Sequence, residues 1–269
     1  VKGSSRRLDV IVTDLGLAPS RHQAEAAIRA GEIFVNGKRV DKPGARVGPD
    51  AVVERRRRGP TFVSRGGDKL ASALEAFGLD LSGWVVADIG ASTGGFTDCV
   101  LQRGARRVYA VDVGRGQLHW RLRRDPRVVV MEGRHAAHLS PDDLPEAVDL
   151  ATVDCSFISL LKILPAVARL VRPGGAIVAL VKPQFEAGPK AAPKGVVRDP
   201  AVHEAVLQRI VAEVPRFGVR PMHVVPSRLL GPDGNREFFV LLLRSEGEAP
   251  DHVNEEIRSA VWGPGRRSA

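Results

Sequence analysis

From Trp84 to Pro183 the chain alternates short, almost uninterrupted apolar runs with segments of helical spacing, and few folds accommodate that alternation. "WVVADIG", "RRVYAVDVG", "RVVVM", "VDLATVD" and "AIVALVKP" are each long enough for a strand and carry almost no polar face. Strands of this composition belong to a parallel sheet covered by helices on both sides. The intervening "GFTDCVLQRG", "GQLHWRLRRD" and "SLLKILPAVARLVRPGG" have the spacing of the covering helices. Two further runs, "VRPMHVVPS" and "REFFVLLLR", are separated by the turn-forming "GPDGN" and predict an antiparallel pair at the end of the sheet. The expected fold class is therefore α/β, a doubly wound, Rossmann-like sheet of seven strands whose ligands sit at the C-terminal strand ends.

The first strand ends in "DIGASTGGFTD", Asp88 to Asp98. Glycine turns of this kind hold ATP, dinucleotides or S-adenosylmethionine. A phosphate-cradling loop requires Gly-Lys-Ser or Gly-Lys-Thr, which is absent, and Gly90, Gly94 and Gly95 do not fit G-x-G-x-x-G. What remains is Asp88 entering the turn and Asp112 at the end of the next strand. Asp88 suits a positive group better than a phosphate, Asp112 is placed for two ribose hydroxyls, and Gly94 and Gly95 allow close backbone approach. S-adenosylmethionine has an ammonium, a ribose and no phosphate. A tight strand-to-helix turn without a ligand is the alternative reading.

The 269 residues carry 40 Lys and Arg against 31 Asp and Glu, a net +9, and residues 1–60 hold 13 basic against 7 acidic residues. Most of the excess thus lies in the first quarter of the chain, which suggests a polyanionic partner there. Within it, Leu8, Val10, Ile11, Val12 and Leu15 are spaced for a short helix ended by Gly16; Ser20 caps a second helix that Gly31 stops; "EIFVNGKRV" predicts a hairpin turning on Asn36-Gly37. Through "RLD", "SRHQAEAAIRAGEIFVNGKRV" and "VGPDAVV", residues 6–54 resemble the S4-type RNA-binding domain, a small α+β module. The resemblance implies contacts with folded RNA from Arg6, Arg7, Arg21, Arg29, Lys38 and Arg39. Arg65 and the run Arg55 to Arg58 are expected to add phosphate contacts, although charge runs are usually solvated linkers.

"VSRGGDKL", "DIGASTGGFTD", "VYAVDVGRGQLHW", "DCSFISL", "LVKPQFE" and "NREFF" resemble, in order, the TlyA family of ribosomal RNA 2′-O-methyltransferases, often labelled hemolysins, whose catalytic domain is of the FtsJ/RrmJ type. The resemblance runs from about residue 6 to residue 244. It implies S-adenosylmethionine as cofactor, held by Asp88, Gly90, Ser92, Gly94, Gly95, Phe96, Asp112 and Asp154. It implies ribosomal RNA or ribosomal subunits as partner, with cytidine riboses of 16S or 23S RNA as targets. It also implies a catalytic tetrad of Lys69, Asp154, Lys182 and Glu237. A 2′-hydroxyl that attacks a sulfonium methyl must lose its proton. Lys182, at the end of a central strand, is the candidate acceptor; Asp154 and Glu237 would orient it and balance charge; Lys69 would hold the sugar-phosphate region. By composition alone, Lys69 would read as a surface lysine on the helix "DKLASALEAF". His135 stands where many members of the family have Asn. Cys155, beside Asp154 with no paired histidine, is expected to face the core.

The expected boundaries are 1–60 for the RNA-binding domain and linker, 61–246 for the methyltransferase domain, and 247–269 for a final helix, "HVNEEIRSAVW", with a disordered "GPGRRSA" tail. The Pro-, Gly- and Lys-rich loop from Lys182 to Pro200 is expected either to close over RNA through Lys190, Lys194 and Arg198 or to be an exposed excursion. No apolar run approaches the ~20 residues that cross a bilayer. Two cysteines, Cys99 and Cys155, build neither a disulfide framework nor a four-cysteine zinc site, so a cytoplasmic protein with no membrane attachment is expected. No metal site is expected, and no motif reports the oligomeric state. Three other functions remain open: a non-catalytic RNA-binding or assembly factor, a membrane-lytic protein and a small-molecule methyltransferase.

Overall fold

The computed structural model of the protein describes residues 5–55, 61–188 and 190–263. The chain divides into two compact units, Val1–Thr61 and Phe62–Ala269. Arg56 to Arg58 and the tail beyond Gly263, for which phosphate contacts and disorder were expected, lie outside the described residues.

In the first unit, strand β1 (Arg6–Arg7) leads into helices α1 (Leu8–Asp14) and α2 (Arg21–Arg29), followed by strands β2 (Ile33–Val35), β3 (Lys38–Arg39), β4 (Arg46–Val47) and β5 (Val53–Arg55). The Ser20 hydroxyl accepts the Gln23 amide at the start of α2, satisfying one of the free first-turn donors. Asn36 and Gly37 both have positive φ (50° and 76°), the backbone of a two-residue hairpin whose twist matches its strands. Leu8, Val12, Ala24, Ile28, Ile33 and Val47 close a small core. Beside it the fully buried Asp9 accepts hydrogen bonds from Arg7 (2.9 and 3.0 Å) and Arg21 (2.9 Å), and these hold its carboxyl down at about 2, the Arg7 contact contributing most.

The second unit begins with α3 (Arg65–Ala76) and β6 (Val85–Ile89), and continues through α4 (Gly95–Gln102), β7 (Arg107–Asp112), α5 (Trp120–Arg123), β8 (Val128–Glu132), β9 (Val148–Val153), α6 (Leu160–Leu170) and β10 (Val171–Val181). It ends with α7 (Pro183–Glu186), α8 (Pro200–Glu213), β11 (Arg220–Pro226), β12 (Phe238–Leu243) and α9 (Asp251–Trp262). The seven strands lie in the order β11-β12-β10-β9-β6-β7-β8. Strands β6 to β10 pair in parallel, and β12 runs antiparallel to both β10 and β11. The chain winds outward from β6 through β7 to β8, then returns to β9 on the other side. The reversal of strand order opens a crevice beyond the C-terminal ends of β6 and β9.

Side chains alternate across the sheet. Val85, Ala87 and Ile89 face α6, α8 and α9, whereas Val86 faces α3 and α4. The apolar runs are continuous because each face has its own core.

Several segments differ from expectation; the helix expected over "SLLKILPAVARLVRPGG" ends at Leu170, and β10 begins at Val171. Of "GQLHWRLRRD" only Trp120–Arg123 is α-helical. The residues before it wrap the glycine turn, with the His119 amide bonded to the Thr93 carbonyl (3.0 Å), so they do not enter a longer helix. The segment from Lys182 to Pro200 is neither a free lid nor a wholly exposed excursion. Val196 and Val197 are buried, and Asn235 holds the segment by accepting the Val197 amide (3.1 Å) and donating to the Gly195 carbonyl (2.9 Å).

Candidate active site

Two cavities open at the C-terminal edge of the sheet and share Gly90, Ser92 and Asp154 as walls. The larger, about 860 Å³, is lined by the ends of β6 and β7 (Ile89, Val111, Asp112, Val113), by Arg134 to Ala136 and by the turn Cys155 to Ser159. The smaller, about 320 Å³, is lined by Ser64 to Gly66, Lys69, Phe96 and Lys182.

At their junction Lys182 Nζ lies 2.5 Å from Asp154 Oδ1 and donates to Ser156 Oγ at 3.0 Å. Lys182 caps the end of β10 and Asp154 the end of its parallel neighbour β9, so adjacent strands deliver opposite charges to one point. Deeper in, Lys69 of α3 donates to Glu237 Oε2 at 2.6 Å, with only 8% of the lysine side chain exposed. The eleven residues joining β11 to β12 fold over this carboxylate: a Cβ at Gly231 would sit 2.2 Å from Glu237 Oε1. That oxygen is buried and has no hydrogen-bond partner among the described residues. Thus the four residues that the resemblance singled out lie in two lysine–carboxylate pairs. Lys69 is buried rather than a surface lysine.

The residues expected at the cofactor divide differently. Gly90, Ser92, Asp112 and Asp154 line the larger cavity. Asp112 ends β7 with both oxygens holding the turn, one accepting the Ser92 amide and one the Gly114 amide, each at 2.7 Å. Asp88 does not line either cavity. The alternation of β6 turns it toward α4, where it is fully buried and accepts hydroxyls from Thr97 (2.6 Å) and Thr152 (3.0 Å). The direct contact with a positive ligand group expected from its place in sequence is replaced by a buried brace beneath the turn. Gly94 and Gly95 likewise answer to packing. A Cβ on Gly94 would lie 2.3 Å from a Leu122 methyl, and one on Gly95 2.2 Å from Ser64 Oγ. Gly95 and Phe96 border the smaller cavity, and the Phe96 ring packs on Phe239 at 6.1 Å.

Burial pushes the Asp88 carboxyl up to about 6 against the hydrogen bonds that oppose it. A folded-state value above the ordinary carboxylate value of 3.8 means that the stabilising contribution of the neutral form is present below 3.8 and is lost as pH rises through about 6. Asp88→Asn should therefore gain about 2 kcal/mol relative to the wild type between pH 4 and pH 7, measured by urea unfolding at both values. A difference independent of pH contradicts the assignment.

Cys155 corrects its expectation in part. It lines both the larger cavity and a small adjoining one, with Sγ 3.7 Å from the Ile89 carbonyl. Burial first, and then the Asp154 charge, push its thiol up to about 12, so it offers no thiolate at neutral pH. His135 also lines the cavity, where its ring accepts the Ala137 amide at 3.2 Å.

Sequence reasoning overlooked Phe157. Its side chain is 89% exposed, and its backbone has φ of +66°, a region uncommon for a bulky residue. Its ring centroid is 5.0 Å from that of Phe185 at the mouth of the larger cavity. Behind it, the buried Glu186 accepts the Leu160 amide (2.6 Å) and the Ser159 hydroxyl (2.8 Å) and pairs with Arg209 (3.2 Å), tying the start of α6 to the turn after Lys182. An apolar residue in "DCSFISL" reads as core; only the fold reveals that it faces out.

Of the arginines expected at RNA, Arg7 and Arg21 are committed to Asp9 yet remain 44% and 57% exposed. Arg6 pairs with Asp14 and Arg29 with Glu25. Lys38 and Arg39 stand exposed on the hairpin. Arg65, exposed at the start of α3, borders the smaller cavity and donates to the Leu230 carbonyl at 3.3 Å.

The larger cavity falls within the size range of small-molecule sites. Its carboxylates, Asp112 and Asp154, its apolar wall of Val113, Ala136 and Ile158, and its glycine turn without a P-loop lysine fit S-adenosylmethionine better than a nucleotide polyphosphate.

Residues 62–244 match the FtsJ-like methyltransferase family and residues 6–53 the S4 domain. The chain is 45% identical, over 93% of its length and 90% of the relative's, to a Bacillus subtilis protein provisionally designated rRNA methyltransferase YqxC. It is 43% identical, over 88% of its length and 89% of the relative's, to the 16S/23S rRNA (cytidine-2′-O)-methyltransferase TlyA of Mycobacterium tuberculosis. A solved structure from Streptococcus thermophilus, provisionally designated a hemolysin, aligns over 97% of both chains with a TM-score of 0.73 at 40% identity.

Proposed function

The chain belongs to the TlyA family, in which an S4 domain precedes an FtsJ-like methyltransferase domain, and from that premise we infer that it methylates the 2′-hydroxyl of cytidine riboses in ribosomal RNA with S-adenosylmethionine. The observation that carries this reading is the Lys182–Asp154 pair at the junction of a cofactor-sized cavity and a smaller one that holds two lysines.

Bound in the larger cavity, S-adenosylmethionine supplies an electrophilic methyl on a sulfonium whose positive charge disappears on transfer. Asp112 would hold the ribose hydroxyls, and the backbone at Gly90 and Ser92 would border the methionine portion. From its neutral form, after the ammonium has released its proton to solvent, Lys182 Nζ would accept the proton of the attacking 2′-hydroxyl, and Asp154 at 2.5 Å would stabilise the ammonium that forms again. The positive charge that transfer removes from a bound sulfonium would be matched by the one Lys182 gains, so the net charge of the cleft would stay constant. Lys69, itself neutralised by Glu237, borders the smaller cavity beside Arg65, where the sugar-phosphate backbone of the RNA would lie. The exposed basic side chains of the S4 domain supply further phosphate contacts. Holding hydroxyl and methyl in attack geometry contributes about 7–11 kcal/mol of barrier reduction. Among the described residues no helix is long and apolar enough to cross a membrane, and nothing in the cleft favours a lytic role.

The test is incubation with methyl-labelled S-adenosylmethionine and ribosomal subunits that lack the modification. Label should appear at a 2′ position, recognised by an alkali-resistant linkage. Label on a base, or none on either subunit, overturns the reading.

A target ribose reaches such a cleft only when its nucleotide leaves the stack. The exposed ring of Phe157 is placed to receive the extruded base. Because stacking on an aromatic side chain is worth about 1–3 kcal/mol, Phe157→Ala should raise KM for subunits about 5- to 150-fold. Cofactor affinity, measured by calorimetry, should fall less than KM rises, because the ring stands exposed at the mouth of the larger cavity, and Phe157→Trp should restore KM; a selective loss of cofactor binding would assign the ring to the cofactor instead.

A further inference from the structure

The C-terminal helix α9 packs along β11, the edge strand of the large sheet, and brings His252 and Glu256 to His223. None of the three lines either cavity of the candidate active site. We propose that His223, His252 and Glu256 form a binding site for a divalent transition-metal ion of the Zn²⁺ type, which pins the C-terminal helix to the sheet edge.

Three features support the site. His252 and Glu256 are four residues apart on one helix, so they emerge on the same face one turn apart, the spacing by which a helix offers two donors to a single ion. His223 Nδ1 and Glu256 Oε1 are already 2.9 Å apart. Tetrahedral donors at about 2.0–2.2 Å from a common ion stand about 3.3–3.6 Å from each other, so this pair need open by only about half an ångström to share one. One donor atom from each of the three residues lies within 4.8 Å of the others. The remaining approach belongs to His252, whose exposed imidazole now contacts the Met222 carbonyl through Nε2 at 2.8 Å and is free of core packing.

The surroundings are those of oriented ligands. Glu256 Oε2 accepts the Val224 amide at 2.8 Å, which directs the other oxygen toward His223. Phe77 stacks on the His223 ring at a centroid distance of 6.2 Å, and the two imidazoles lie 5.0 Å apart at 37°. Two imidazoles and one carboxylate suit a borderline ion such as Zn²⁺ rather than Ca²⁺ or Mg²⁺, with water completing the coordination. The ligands come from two elements far apart in sequence, so an ion bound to the folded state alone raises the unfolding temperature.

The full-length, tag-free protein, stripped with chelator, is titrated with ZnCl₂ by calorimetry and by thermal melting. One Zn²⁺ per chain and a rise in melting temperature are expected, with at least about a tenfold loss of affinity in His252→Ala, which is exposed and leaves the circular dichroism spectrum unchanged. Glu256→Gln should weaken binding as well. His135 and His138, whose rings are 4.9 Å apart, provide the control. Absence of binding, binding unaffected by His252→Ala, or binding abolished by His138→Ala in its place overturns the proposal.

Discussion

Replacing Lys182 with alanine lowers the rate of ribose methylation about 10²- to 10⁴-fold, the range expected when a positioned proton acceptor is removed. Cofactor affinity should be unaffected, because Lys182 borders the smaller cavity and not the larger one. Lys182→Arg should not rescue the rate: a guanidinium preserves the charge beside Asp154 but does not accept a proton in the working pH range. Asp154 walls both cavities, so Asp154→Asn is expected to weaken cofactor binding and slow transfer together. Single-turnover rates with subunits, alongside calorimetric cofactor affinities, separate the two variants. A Lys182→Ala enzyme that transfers methyl groups within tenfold of the wild-type rate removes Lys182 from the proton-accepting role.

Glu237→Ala should be the most destabilising substitution in the site. It leaves the Lys69 ammonium, 8% exposed, without its carboxylate, and stranding one partner of a buried pair costs about 3–5 kcal/mol. Replacing both members with apolar residues of similar size, Lys69→Met with Glu237→Leu, should restore stability to within about 1 kcal/mol of the wild type, because the desolvation penalties vanish together. Methylation should not return in that double variant, since the smaller cavity keeps Arg65 and Lys182 but loses the buried lysine beside which the sugar-phosphate backbone would lie. Urea unfolding gives the stabilities. A cost below about 1 kcal/mol for Glu237→Ala shows that the pair is solvated in solution, and restored activity in the double variant assigns Lys69 and Glu237 to the fold alone.

The architecture was legible in the sequence where a local rule had a single solution. Strands β6 to β10 are the five apolar runs, and the Asn36-Gly37 turn and the Ser20 cap form where their backbone chemistry requires. The connection from β11 to β12 was legible only in part. "GPDGN" forms its turn at Pro232–Gly234, but eleven residues lie between the strands because the connection has to cover Glu237. The helical spacing of "GQLHWRLRRD" overstated α5 because spacing does not register a competing backbone bond from His119 to Thr93.

By itself the sequence determined which elements form, that the sheet is parallel at its centre, that a glycine turn follows β6, and which lysines and carboxylates are available for chemistry. Those properties follow from side-chain periodicity and from backbone preferences that act over a few residues. The tertiary structure alone decided that Lys69 and Glu237, 168 positions apart, share a buried hydrogen bond; that Asp88 turns away from the cleft to Thr97 and Thr152; that Gly94 and Gly95 serve helix packing; and that Phe157 stands in solvent at the cleft mouth. Burial and partnership depend on what the rest of the chain places opposite a residue. No local pattern encodes the far side of a contact.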